Sequence, residues 1–111
     1  MKVAIVGSRK INEVDIAPHL PAETDGIISG GAVGVDTAAR VFAAENGIPL
    51  TEIKPDYTRY GRAAPIIRNK EIVDLADYVI VFWDGSSRGT QSVIKYAEKS
   101  NKPRKIIICG Q

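Results

Sequence analysis

Five short apolar runs punctuate the chain, at residues 3–6, 26–29, 50–53, 78–82 and 105–108. Four of them are rich in Val and Ile with little polar alternation, the pattern of strands buried on both faces of a parallel sheet. The run at 50–53 is broken by Thr51 and Glu52, which suits an outer strand. Between the runs the period changes. Apolar residues at 35, 38, 39, 42 and 43 make a helical stripe over residues 33–46, stopped by Gly47 with Pro49 beyond it. Ile66, Ile67, Ile72, Val73 and Leu75 predict a second helix over 63–76, with Pro65 tolerated in its first turn. Val93, Ile94 and Ala97 predict a third over 90–100, ended before Pro103. Residues 12–20 form the weakest helical pattern, capped by Asn12 or Asp15 and shortened by Pro18.

The order βαβαβαβαβ predicts an α/β fold: a Rossmann-like three-layer sandwich around a five-stranded parallel sheet. Three loops after strands carry polar and glycine residues: Gly7-Ser8-Arg9, residues 29–36, and residues 83–90. Ligands of open α/β sheets bind beyond the strand C-termini, where the order reverses. Making strands one, two and four neighbours requires the order 3-2-1-4-5. The length of 111 residues fits a single nucleotide-binding domain over 1–111.

Composition narrows the function classes only a little. Hydrophobic residues are 44% and charged residues 25%, ordinary for a water-soluble domain. A net charge of +2 suits a small anionic ligand but does not mark a nucleic-acid binder. The single cysteine, Cys109, excludes an internal disulfide, and no Cys/His cluster suggests a metal. The first apolar run is too short for a signal peptide or membrane span, so the expected location is cytoplasmic. Lys99, Lys102, Arg104 and Lys105 form a basic cluster before the last strand, expected at the end of the sheet away from the loaded loops.

The strongest local motif is Ser29-Gly30-Gly31-Ala32-Val33-Gly34-Val35-Asp36, joining a strand to a helix. Its glycines allow close ligand approach, and the free amides at a helix start attract phosphate. Asp36 has two readings: a partner for the helix dipole, or an acceptor for ribose hydroxyls. Ser8 and Arg9 offer a hydroxyl and a guanidinium to the same anion. Asp84, Ser86, Ser87, Arg88, Gly89 and Thr90 make a second anion nest opposite. Trp83 stacks on a base or covers the sheet end. Arg68 and Asn69 lie on the second helix, where the arginine stem can reach over the strand ends. Residues 54–62, with Tyr57, Arg59, Tyr60 and Arg62, read as a mobile lid. His19 reads as a residue on the rim away from the site, and Cys109 as a small packing residue. The small-residue face Ala38, Ala39, Ala43, Ala44 permits close helix packing, within the fold or in a homodimer or larger homo-oligomer.

These residues together resemble the SLOG superfamily, which includes the Smf/DprA DNA-processing proteins and the lonely-guy cytokinin-activating hydrolases. The segment Arg59-Tyr60-Gly61-Arg62-Ala63-Ala64, followed by Ile67-Arg68-Asn69, is similar to its YspA, cpYpsA-related branch. The resemblance implies a domain that senses or processes a nucleotide or nucleotide-derived ligand such as ADP-ribose, NAD or a nucleoside monophosphate. It also implies the alternatives of an N-glycosidic or phosphate-bond hydrolase and of a single-strand DNA binder. Two positions depart from the relatives. Val93 stands where the lonely-guy hydrolases carry a glutamate, and Arg40 where Smf/DprA proteins carry a histidine. If the chain is a hydrolase, Asp36 and Asp84 are the carboxylates left to act as catalytic residues.

Overall fold

The computed structural model describes residues 1–109. Its strands are β1 (Lys2–Gly7), β2 (Gly26–Ser29), β3 (Leu50–Glu52), β4 (Tyr78–Trp83) and β5 (Arg104–Ile108). Its α-helices are α1 (Val35–Glu45), α2 (Tyr57–Tyr60), α3 (Ala64–Leu75) and α4 (Arg88–Lys99). All neighbouring strands run parallel in the order β3-β2-β1-β4-β5. The reversal of order therefore lies between β1 and β4, as the loaded loops require.

Strand alternation divides the core into two layers. Ala4, Val6, Val79 and Val81 face α3 and α4, meeting Ile72, Val73, Val93 and Ala97. Val3, Ile5, Ile80 and Phe82 face the other side, meeting Val35, Ala39 and Ala43 of α1. Continuous Val/Ile runs are the consequence, because both faces of β1 and β4 are covered. No described helix is long and apolar enough to cross a membrane.

The first connection departs from expectation. It holds only a 3-10 turn, Ala17–His19, with Pro18 at its start. Ile11 and Ile16 are buried while the residues between them stay mostly exposed. Two anchors five positions apart fit an irregular path, and proline lacks the N–H that a longer helix needs. His19 also lies elsewhere than expected. Its ring meets Phe82 edge-on at 5.6 Å, on the α1 side of the sheet and near the C-terminal end of β4.

Two further differences concern helix ends. The first helical stripe starts at Val35, because Gly34 holds φ 75° and ψ −125°, outside helical space. Residues 54–62 are partly ordered as α2, whose start is capped by Asp56 accepting from the Arg59 amide at 3.1 Å.

Candidate functional site

A cavity of about 690 Å³ opens over the C-terminal ends of the strands. Gly7 enters it from the end of β1, Arg9 from the loop that follows, Gly30, Gly31 and Ala32 from the loop after β2, and Asp36 from the first turn of α1. Arg68 and Asn69 of α3 line another wall, and Ser87, Gly89 and Thr90 at the start of α4 a third. Ligand pockets in general span this order of volume, roughly 300–1,000 Å³. All three sequence motifs thus converge on one space.

Among the described residues Asp36 is the one carboxylate lining it, and it is 7% exposed. Its Oδ2 accepts the Ala32 N–H at 3.1 Å. Burial raises its pKa above the ordinary value. The Ala32 amide, the Arg68 charge and the Ser29 hydroxyl oppose that rise without cancelling it. Arg68 crosses the rim above. Its Nη1 donates to the Gly30 carbonyl at 2.9 Å and to the Ile53 carbonyl at 3.4 Å, and its Nε to Asn69 Oδ1 at 2.9 Å. Gly30 is what lets these groups approach. A Cβ there would stand 2.7 Å from Arg68 Nη1 and 2.9 Å from Asp36 Oδ2.

The raised pKa of Asp36 has a consequence for stability. Between the ordinary value of 3.8 and the raised folded value, the folded chain keeps a proton that the unfolded chain has released. Stability therefore falls as pH rises through that window. Asp36→Asn removes the ionisation and keeps a carbonyl for the Ala32 amide. We expect Asp36→Asn to melt at a higher temperature than wild type at neutral pH, with the gap closing towards pH 4. Equal melting temperatures across that range would refute the assignment.

Asp84 has the opposite environment. Its Oδ1 accepts the amides of Ser86 and Ser87 at 2.9 and 2.8 Å. Those two bonds hold its carboxyl below the ordinary range. Asp84 folds its own loop and does not line the cavity. Of the two carboxylates, only Asp36 lines the cavity and only its pKa is raised.

Several other expected residues prove to be supports. Ser8 is 1% exposed; its Oγ accepts the Asp84 amide at 3.2 Å and its own amide donates to Phe82 at 3.1 Å. It ties the loop after β1 to the loop after β4. Ser29 is buried, and its Oγ accepts the Gly31 amide at 3.4 Å. Gly34 lies beneath the loop against the carbonyls of Ser8 and Arg9. Trp83 donates its indole N–H to the Ser87 carbonyl at 3.0 Å and packs on the core. Its ring does not line the cavity. Ser86 sits in the turn held by Asp84, and Arg88 is exposed at the start of α4, outside the lining.

The segment expected as a lid supplies further lining that its sequence did not assign to the cavity wall. Lys54, Pro55 and Tyr57 line the cavity from the segment after β3. The Lys54 stem passes over the Gly31 backbone, where a Cβ would stand 3.1 Å from its Cε. The signal was present: a lysine and a tyrosine just past a strand end. Their spacing alone did not separate them from a solvated loop.

The two helix starts differ electrostatically. Asp36 stands in the first turn of α1, whereas α4 has no acidic residue in its first turn. Ser87 gives α4 no side-chain cap, and its first amides find no acceptor among the described residues. The start of α4 is thus a helix start without a carboxylate in its first turn, and Arg9, Lys54 and Arg68 line the same cavity. No group of three or more His, Cys, Asp or Glu suited to a metal occurs among the described residues. Comparison with protein-family models, curated proteins and solved structures found no match to this chain. The functional reading rests on the site itself.

Proposed function

We propose that this chain binds a nucleotide or nucleotide-derived phosphate ligand in the cavity above β1 and β4. The observation that carries the reading is the charge layout. Three cationic side chains, Arg9, Lys54 and Arg68, and the uncapped start of α4 share one cavity with a single carboxylate, Asp36. A phosphate at α4 leaves Asp36 to accept ribose hydroxyls. This supports the ribose role of Asp36 over dipole complementation alone, since its carboxylate borders the cavity. The resemblance to the SLOG superfamily points the same way. Titration calorimetry with AMP, NAD and ADP-ribose tests it: saturable binding of at least one is expected, and no heat with any of them at millimolar ligand rejects it.

Among the described residues Tyr57 is the one aromatic lining the cavity, and it is 61% exposed. Its ring takes the place first assigned to Trp83 as a face for the base. Base–aromatic stacking is worth about 1–3 kcal/mol by alanine substitution. Tyr57→Ala is expected to weaken AMP by roughly 5- to 150-fold, converting that energy range at 1.4 kcal/mol per tenfold. Ribose 5-phosphate, which has no base, should bind both proteins alike. Equal losses for the two ligands would exclude a stacking role.

A second reading is hydrolysis of a bond in the same ligand, favoured by the raised pKa of Asp36, which suits a general acid or base. Against it, Val93 lines the cavity at the position where the lonely-guy hydrolases carry their glutamate. Binding is therefore the better supported function. Chromatography decides between them: released base or phosphate with wild type, and none with Asp36→Asn, would establish turnover.

A further inference from the structure

We propose that β5 is a self-pairing edge, through which two copies of this chain join antiparallel about Ile106 and merge two five-stranded sheets into one. The two edges of the sheet are built differently. β3 has three residues, is flanked by Pro49 and Pro55, and commits Glu52 to an ion pair with Arg40 at 2.9 Å. Short length, proline and charge are the usual protections of an edge. β5 has five residues, including Ile106, Ile107 and Ile108. Ile106 is 37% exposed and Ile108 60%.

The hydrogen bonds to β4 fix which backbone groups face outward. Pro103 accepts the Val79 amide at 2.9 Å, and Cys109 donates to the Trp83 carbonyl at 2.7 Å. Odd-numbered residues of this stretch therefore turn their N–H and C=O inward. Arg104, Ile106 and Ile108 turn theirs out, away from β4.

That pattern is self-complementary. With Ile106 opposite its own copy, Arg104 faces Ile108 of the second copy, and Lys105 faces Ile107. Every outward residue then meets an outward residue, the pairing that exchanges both backbone bonds, for about six bonds in all. Ile106 packs on Ile106, and the Arg104 stem covers the exposed Ile108. No like charges stand directly opposite. The two Arg104 residues lie four positions apart along the strands, about 13 Å. The two Lys105 residues lie diagonally on one face, roughly 8 Å apart, so added salt strengthens the pairing. β5 contributes nothing to the cavity wall, and this dimer is independent of the ligand reading.

Light scattering and sedimentation velocity test it. Wild type is expected at twice 12.0 kDa, and Ile106→Lys at 12.0 kDa with an unchanged circular dichroism spectrum. Ile106→Pro gives the same loss by removing an outward N–H that the sheet itself does not use. Trapping fixes the register. In a Cys109→Ser background, Ile106→Cys should cross-link to itself under copper–phenanthroline, since directly opposed Cα atoms lie about 5.5 Å apart. Ile108→Cys should not, its copy being about 13 Å away. A wild-type monomer at every concentration, a dimer that survives Ile106→Lys, or equal cross-linking of the two cysteine variants would each overturn the proposal.

Discussion

Gly34→Ala is expected to lower the melting temperature more than any other single methyl addition to the loops around the cavity. Gly34 holds φ 75°, and a Cβ there would stand 2.5 Å from the Arg9 carbonyl oxygen and 2.7 Å from the Ser8 carbonyl oxygen. Both contacts are to backbone, which has no rotamer to escape into. The disfavoured dihedral costs about 1–2 kcal/mol and the overpacking about 1–3 kcal/mol more. Against a total stability of about 5–15 kcal/mol that is a large fraction. At about 4–8 °C per kcal/mol for a domain near this size, the drop is roughly 8–40 °C. Gly47→Ala is the control. Gly47 also has positive φ, 63°, but nothing lies within 4 Å of its Cβ position. Thermal denaturation followed by circular dichroism should show the Gly34 variant far below the Gly47 variant. Matching melting temperatures would mean that the loop after β1 is not packed on the start of α1 as described.

Arg68→Ala is expected to weaken AMP binding by roughly 10- to 100-fold, the range of a lost charge-assisted hydrogen bond or two. The guanidinium does two things at once. It brings positive charge to the cavity, and through the Gly30 and Ile53 carbonyls it fastens the end of β2 to the segment after β3. Arg68→Lys should recover little, because one ammonium cannot reproduce a planar fork that spans two carbonyls and Asn69. Adenosine separates the two contributions. If the charge matters, adenosine binds wild type and Arg68→Ala alike while AMP does not. A parallel loss for both ligands would show that Arg68 only shapes the rim.

These two variants mark where the sequence was legible and where it was not. Strand positions could be read because β1 and β4 are buried on both faces, so their Val/Ile runs have no other use. The order 3-2-1-4-5 followed from where the polar, glycine-rich loops fell. The first connection was misread because a weak apolar spacing resembles a helix even when Ile11 and Ile16 are only two anchors for an irregular path. Ser8, Trp83 and Asp84 have the residue types of ligand contacts, yet each hydrogen-bonds within the loops that shape the cavity. A side chain that holds a loop and one that meets a ligand look the same in a linear motif. Lys54 and Tyr57 belong to the segment expected as a lid on the same rim; that they line the cavity wall was not legible, because which side chains of a loop turn inward depends on the fold.

By itself the sequence determined the parallel sheet, its order and the three loops on one rim, since period, punctuation and glycine placement are local properties. The turn at residues 29–36 was legible for the same reason, and Gly30, Gly31, Ala32 and Asp36 line the cavity. Only the tertiary structure decided its division of labour. Burial makes Asp36 a carboxyl of raised pKa despite the Ala32 amide, and it stands in the first turn of α1 whereas α4 starts without an acidic residue. Burial and proximity belong to the folded chain, and no spacing of residues states them in advance.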